Sequence, residues 1–196
     1  MRPETKGVLI IILVGLSLVF YEPLHSTVVA FFHFLSEFSQ VVTGEQERHL
    51  KEVLPEADVF SSKEGDLPHY KGYQIDPATN LETLVGFAFF TTQVQPRHRG
   101  YKGPIEIAVG MNTEGIITGI KVVDHDEPYG YFSIDLPSFS VQFNDKSILD
   151  PFRVELDIDG VSRATITIAS STRSIKNSAR GIAKQYLEQI EGQNRD

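Results

Sequence analysis

The sequence contains no cysteine among its 196 residues. This absence excludes disulfide bonds, thiolate-bound zinc, cysteine-ligated iron–sulfur clusters and covalently attached c-type haem. Any redox group on the chain must therefore be organic or bound through histidine. The signatures G-x-S-x-G, H-E-x-x-H and the Gly-rich phosphate loop ending in lysine are missing as well. The sequence thus gives no support to a hydrolase, a zinc protease or an NTPase.

Positive charge is also scarce. The chain has 18 Lys and Arg against 26 Asp and Glu, and its formal net charge is −8 at pH 7. Because a chain of this charge is repelled by a phosphate backbone, we expect no nucleic acid partner. Hydrophobic residues make up 41% of the chain, which at this length is enough to bury the core of one domain.

A long apolar run lies near the N-terminus. It extends without a charge from Gly7 to Tyr21 and follows Arg2 and Lys6. The run is short for a membrane span, and it also has the size of a signal-peptide core. The nearest small-residue cleavage pattern lies far beyond the run. We therefore predict an uncleaved anchor over residues 1–24, with a cleaved leader as the alternative.

The charges around this run predict an orientation. Basic residues precede it and none follows it closely, which is the pattern of a cytoplasmic N-terminus. We expect a single-pass protein of a bacterial inner membrane, with everything after the span in the periplasm.

Residues 25–44 are predicted to form an apolar helix and a linker. The helix either continues the span, lies on the membrane surface or packs against a transmembrane partner. The soluble domain is then expected to occupy residues 45–196. The apolar positions of the helix recur at spacings of three and four: Val28, Phe31, Leu35, Phe38 and Val42.

The sequence pattern of the soluble part predicts an α+β fold, with helices packed on a largely antiparallel sheet. The strongest strand signal is a hairpin from Pro104 to Pro128, whose two alternating apolar runs meet at a turn ending in Gly115. Strands that come in runs joined by hairpins pair antiparallel. Three further elements are predicted: a helix from Glu45 to Val53, a strand from Thr83 to Val94, and a helix from Leu136 to Phe143 with Pro137 in its first turn.

A longer helix closes the chain. Its apolar side carries Ile168, Ile175, Ala179, Ile182, Tyr186 and Ile190, and its basic side carries Arg173, Lys176, Arg180 and Lys184. We interpret the basic side as a solvated surface, with anion binding as the alternative. The start of the helix is different, because unpaired N–H groups and a positive macrodipole stabilise a phosphate there.

The stretch DGVSRATIT, from Asp159 to Thr167, leads into that start. By itself it fits an ordinary helix cap and loop. It also fits a phosphate site, in which Ser162 caps the helix or donates to the phosphate and Arg163 neutralises it.

The pattern D-x-x-S-x-A-T of Asp159, Ser162, Ala164 and Thr165 resembles the flavinylation motif of FMN-binding domains, as in the Rnf and Nqr electron-transport subunits. Arg163 stands where the wider motif has Gly. The segments RGYKGPIEIAVGMNTEGIITGIKVVDHDEPYGYFSIDLPSFSVQF, KSILDPF and VSRATITIASSTRSIKNSAR together resemble the N-terminal flavin domain of the NosR/NirI family. This resemblance covers about residues 46–185, and it does not extend into the transmembrane and ferredoxin-like parts of NosR-like proteins.

The resemblance implies an FMN-binding domain over residues 45–196, with FMN joined through its phosphate to the hydroxyl of Thr165. A threonine hydroxyl is a poor nucleophile, so attachment requires a separate magnesium-dependent flavin transferase that acts on FAD. Thr167 is the next candidate acceptor, and Asp159 is a docking point for the transferase. The expected cofactor-binding residues are Thr165, Ser162, Ala164, Asp159, Arg163, Ile166, Thr167, Tyr129 and Tyr131, of which the two tyrosines either stack on the flavin or belong to the core.

Two neighbouring stretches have alternative interpretations. The acidic run from Asp124 to Glu127 includes His125, but consecutive strand residues point to opposite faces, so we expect no metal site. The turn from Gly100 to Pro104 either brings backbone N–H groups against the flavin or simply starts a strand.

These features predict a membrane-anchored electron-transfer flavoprotein on the periplasmic side, without a substrate of its own. A larger membrane redox complex is the expected partner, bound through the N-terminal helices. Two alternatives remain open: a flavin-free accessory or scaffold subunit, and a NosR-like regulatory protein.

Overall fold

The computed structural model describes residues 44–193, with side chains up to residue 186. The predicted anchor over residues 1–24 and the predicted apolar helix before Gly44 lie outside these residues. None of the helices within residues 44–193 is long and apolar enough to cross a membrane.

Five strands form one sheet in chain order, and every neighbouring pair is antiparallel. Helices lie before, between and after the strands, so the predicted α+β class is confirmed for the described residues. The strands are β1 Val59–Phe60, β2 Tyr70–Ile75, β3 Glu82–Phe90, β4 Ile105–Asn112 and β5 Ile117–His125. The α-helices are α1 Gly44–Val53, α2 Thr91–Val94, α3 Pro137–Ser140 and α4 Thr165–Gln193, and short 3-10 helices span Gly130–Phe132 and Val141–Phe143.

The sheet is buried on both faces. Alternate residues of β3 point to opposite sides, so Phe87 and Phe89 join a core with α4, whereas Ala88 and Phe90 join a core with α1. This arrangement explains why β3 is apolar at consecutive positions, whereas an antiparallel strand with one solvent-exposed face alternates apolar and polar residues.

Helix α1 packs closely against the hairpin of β4 and β5. Thr118 Oγ1 donates a 2.6 Å hydrogen bond to the carbonyl of Val53 at the end of the helix. A Cβ atom at Gly110 would collide with that same carbonyl, so only glycine allows the approach. The helix bounds confirm the prediction for residues 45–53.

Two other predicted elements are confirmed with adjusted bounds. The hairpin turn places Gly115 at φ +79°, and Asn112 Oδ1 accepts hydrogen bonds from the N–H groups of Glu114 and Ile116. The predicted helix over residues 136–143 is α3, with Pro137 in its first turn, followed directly by a 3-10 helix.

The predicted strand from Thr83 to Val94 is wrong at its end, because the chain leaves the sheet after Phe90 and forms α2. The buried Thr91 hydroxyl explains the change. It donates to the carbonyl of Ile105 at 3.1 Å and accepts from the N–H of Ile107 at 3.0 Å, so it ties α2 to β4.

Helix α4 buries the predicted apolar face in the core. Ile168, Ile175, Ala179 and Ile182 are at most 1% exposed, and Tyr186 packs against them. Ile190 lies beyond the last described side chain.

The basic face of α4 is exposed at Arg173 and Arg180, as interpreted from the sequence, and two of its cations also bind backbone carbonyls. Lys176 donates to the carbonyl of Pro151 at 2.8 Å, and Arg180 donates to the carbonyls of Ile148 and Asp150 at 2.6 and 2.9 Å. These cations hold the loop between residues 148 and 151 on the helix, because carbonyls without a strand partner need donors.

Candidate functional site

The start of α4 has no side-chain cap. The helix begins at Thr165, so the buried Ala164 occupies the N-cap position, and its carbonyl accepts the first helical hydrogen bond from Ile168 at 2.9 Å. Alanine has no oxygen with which to cap the first-turn N–H groups. Ser162 lies two residues earlier in an exposed turn, so it is not the cap that the sequence suggested. The helix therefore presents uncapped N–H groups and the positive end of its dipole.

Arg163 has a left-handed backbone, with φ +71°. It lies in the tight turn closed by the 3.0 Å hydrogen bond from the N–H of Ala164 to the carbonyl of Val161. Glycine adopts this conformation without steric cost. The glycine of the wider flavinylation motif therefore corresponds to a position that requires a positive φ here.

The two threonines of the motif differ in their surroundings. Thr165 is exposed, whereas Thr167 is 3% exposed and its hydroxyl donates a short hydrogen bond to Glu127 Oε2. Residues two apart on a helix point in nearly opposite directions, which explains the contrast. Of the two hydroxyls, that of Thr165 is the one accessible to a reagent from solution.

Glu127 accepts hydrogen bonds from two separate parts of the chain and is 6% exposed. Its partners are the hydroxyl of Thr167 and the backbone N–H groups of Tyr101 at 3.1 Å, Lys102 at 2.8 Å and Gly103 at 3.4 Å. Burial by itself would raise the pKa of Glu127, but these hydrogen bonds outweigh it and leave that pKa below its ordinary value. The carboxylate is therefore ionised at neutral pH.

The loop from Gly100 to Gly103 takes its shape from this carboxylate. Its N–H groups face Glu127, except that of Gly100, which donates to the carbonyl of Gly103 at 2.7 Å. The suggestion that this turn brings backbone N–H groups against a flavin is therefore wrong. The loop instead contributes a side chain to the site, because Tyr101 is 67% exposed and lies beside the start of α4.

A cavity of about 320 Å³ lies at the start of α4. This volume is within the range of small-molecule sites, about 300–1,000 Å³. Five of its six lining residues were predicted as cofactor-binding; the sixth, Tyr101, was missed, although its position between two glycines in a short turn is a signal for an exposed side chain. The lining residues are Tyr101, Tyr129, Arg163, Thr165, Ile166 and Thr167.

The remaining predicted site residues do not line the cavity. Asp159 and Ser162 lie in the approach to α4, and Ala164 is buried beneath it. Tyr131 is 69% exposed and lies edge-on to Phe132, with ring centroids 4.9 Å apart. Neither tyrosine of this loop is a core aromatic, since Tyr129 is also 42% exposed.

The acidic run around His125 forms a hydrogen-bond network that shapes the loop carrying Tyr129. His125 Nδ1 accepts from the N–H of Glu127 at 3.0 Å, and its Nε2 lies 2.8 Å from Asp135 Oδ1. Ser133 Oγ then donates to the carbonyl of Tyr129 at 2.7 Å. Within residues 44–193, no group of three or more His, Asp or Glu residues is arranged to hold a metal ion.

Residues 100–180 match the family model of the FMN-binding domain, and this range includes every residue that lines the cavity. The chain carries an FMN-binding domain over these residues. A second comparison gives 31% identity over 100 residues with a subunit of the ion-translocating oxidoreductase complex of Vibrio atlanticus (strain LGP32). That alignment covers 46% of this chain and 46% of the relative, so the two proteins match over about half of their lengths. This relative is a subunit of the Rnf type, so the predicted relation to Rnf subunits is confirmed.

The residues of the cavity fit FMN. Arg163 and the uncapped N–H groups of α4 suit a phosphate, and Thr165 presents an accessible hydroxyl beside them. Tyr101 and Tyr129 offer aromatic surface to a flavin ring. Covalent attachment and the narrower NosR/NirI resemblance stay predictions.

Proposed function

We propose that this protein is an electron-transfer flavoprotein whose FMN is joined through its phosphate to Thr165. One observation carries the proposal: the cavity places an exposed threonine hydroxyl at an uncapped helix start, while the neighbouring Thr167 is buried and bonded. The FMN-binding domain match and the relation to an oxidoreductase complex subunit support the electron-transfer role.

Each residue of the site has a separate task in this proposal. Thr165 is a tether and takes no part in turnover. Arg163 and the first-turn N–H groups of α4 stabilise the phosphate, and Tyr101 and Tyr129 flank the flavin ring. Bound FMN supplies the chemistry of accepting one or two electrons and passing them on. The exposed Asp159 contributes a docking point for the transferase.

Attachment is a phosphoryl transfer from FAD. The bond between the FMN phosphorus and the bridging oxygen of the pyrophosphate breaks and AMP leaves with that oxygen, while a new P–O bond forms between the FMN phosphorus and Thr165 Oγ1. The hydroxyl proton passes to a base of the magnesium-dependent flavin transferase, since the carboxylate of Glu127 is engaged with Thr167.

The protein is proposed to act in a larger membrane redox complex. The relative from Vibrio atlanticus is a complex subunit, and this sequence has no cysteine with which to hold an iron–sulfur cluster as an electron acceptor. We propose that residues 1–24 anchor the chain with its N-terminus in the cytoplasm and the domain in the periplasm. The apolar helix of residues 25–44 then contacts the partner.

The attachment site is tested by co-expression with a flavin transferase and a denaturing gel viewed under ultraviolet light. The wild-type band should fluoresce, and Thr165→Val should abolish the signal because no hydroxyl remains at the tether. Thr113→Val is the matched control, since it makes the same change at an exposed threonine of the β4–β5 turn, outside the motif, and should leave the band bright. A bright band in Thr165→Val would contradict the assignment, and a dark wild type would favour the flavin-free scaffold.

A further inference from the structure

Two chemically identical acceptors lie two residues apart at the start of α4, and the chain must present only one of them to the transferase. We propose that Glu127 is the positioning residue that directs flavin attachment to Thr165, by sequestering the hydroxyl of Thr167 and fixing the loop that carries Tyr101. This inference rests on the proposed attachment of FMN to threonine. Neither the flavinylation motif nor the domain match assigns a role to Glu127.

The geometry of the carboxylate supports this role. Oε1 accepts from the N–H groups of Lys102 and Gly103 at 2.8 and 3.4 Å, and Oε2 accepts from the N–H of Tyr101 at 3.1 Å and from Thr167 Oγ1. Both oxygens are therefore shared between donors. One side chain joins the loop before β4, the chain after β5 and the first turn of α4.

Thr167 is excluded as an acceptor by this contact. Its hydroxyl has a single hydrogen, which is donated to Glu127, and its side chain is 3% exposed. To react, Thr167 would have to leave a hydrogen bond to an ionised group and rotate towards solvent. A hydrogen bond to a charged group is stronger than a neutral one, so this state is rarely populated.

The same carboxylate holds one wall of the cavity. A Cβ atom built on Gly100 would lie 2.6 Å from Glu127 Oε1, which shows how closely the loop packs on the acid. Tyr101 lines the cavity through its ring while its N–H is bound to Glu127. Loss of the carboxylate would therefore release the wall and Thr167 together.

Glutamine is the informative replacement. It keeps the size of the side chain but offers one acceptor oxygen and an NH₂ group that donates, so it cannot satisfy four donors. At least two of the partners lose their acceptor. The remaining oxygen is uncharged, so the hydrogen bonds that it keeps are weaker, and both the Thr167 hydroxyl and the backbone of residues 101–103 are held less firmly.

The first measurement locates the flavin by mass spectrometry of full-length protein co-expressed with the transferase. Tryptic cleavage after Arg163 and Arg173 yields one peptide that contains both threonines, and its fragmentation separates them. Wild type should carry FMN on Thr165. In Glu127→Gln the share on Thr167 should rise about tenfold or more, as expected from the loss of a charged hydrogen bond. A role limited to stability would lower total labelling without moving it to Thr167.

The second measurement needs no flavin. Amide hydrogen exchange of Tyr101, Lys102 and Gly103 in protein made without the transferase should accelerate about tenfold in Glu127→Gln, because the hydrogen bonds of these N–H groups to the side chain are lost or weakened. Glu114→Gln is the matched control, since that residue is in an exposed turn of the β4–β5 hairpin and should leave these amides unchanged. If Glu127→Gln does not fold, Glu127→Asp replaces it, because its shorter side chain cannot reach all four donors.

The outcomes separate the two proposals. Wild type labelled on Thr165, together with a Glu127 variant that shows the same site and the same amide protection, overturns the role of Glu127 and leaves the proposed function intact. Wild type without flavin on either threonine overturns both. A shift of label to Thr167 with faster exchange at residues 101–103 supports both.

Discussion

Replacing Arg163 with glycine should stabilise this protein. Its backbone has φ +71°, a conformation that costs a residue with a side chain roughly 1–2 kcal/mol. Glycine removes that cost but loses about 0.5–1 kcal/mol through the greater freedom of the unfolded chain. The side chain of Arg163 is exposed and has no hydrogen bond or ion pair within residues 44–193, so in the flavin-free protein no such contact offsets the gain. The balance is a stabilisation of about 0.5–1 kcal/mol.

Thermal unfolding of full-length protein made without the transferase, in mild detergent, measures this effect, because attached FMN would add the proposed contact between Arg163 and its phosphate. For a domain of this size, 1 kcal/mol shifts Tm by about 2–4 °C, so Arg163→Gly should raise Tm by about 1–4 °C. Urea unfolding should move the midpoint in the same direction without changing the slope.

Two control variants isolate the backbone effect. Ser162→Gly adds the same flexibility to the unfolded chain at the preceding residue, where φ is not positive. It should therefore lower stability by about 0.5–1 kcal/mol. Asn80→Gly also changes a left-handed residue, at φ +54°, but asparagine tolerates this region, so the gain should be smaller than for Arg163. The strain argument is refuted if Arg163→Gly is as destabilising as Ser162→Gly.

Three further predictions concern acid stability, the orientation of the chain in the membrane and the docking of the N-terminal segment. Burial by itself would raise the pKa of Asp157, but hydrogen bonds from the N–H groups of Arg153 and Phe152 and from Lys146 outweigh it and lower that pKa. The contribution of Asp157 to stability is therefore complete above the ordinary aspartate pKa, and it is lost as the pH falls through the lower pKa of the folded state. Asp157→Asn should flatten the acid limb of a plot of unfolding free energy against pH. An unchanged acid limb would contradict this prediction. For the N-terminal segment, a C-terminal reporter fusion should be active outside the cytoplasm, and Phe31→Ser with Leu35→Ser should release a co-purifying membrane complex from protein that keeps its flavin. Reporter activity in the cytoplasm, or a complex that survives the double variant, would count against the anchor or the docking helix respectively.

Local patterns accounted for much of the fold. The β4–β5 hairpin was predictable because its alternation and its turn residues are contained in one short stretch, and the same holds for α1 and for the buried face of α4. Strands β1 and β2 were not predicted. In β2, polar residues and Gly72 weaken the strand pattern, and the need for glycine is visible only in three dimensions, where a Cβ atom would lie 2.6 Å from Leu54.

The candidate site divides in the same way. The sequence by itself determined the helix, the motif at its start and hence the threonine pair, because these depend on neighbouring residues and helical period. Which threonine is accessible was decided only by the tertiary structure, since Thr167 meets Glu127 across 40 positions of the chain. Tyr101 likewise reaches the cavity only because the antiparallel pairing of β4 with β5 brings its loop beside Glu127. Contacts of this kind follow from sheet register and helix packing, which no local pattern encodes.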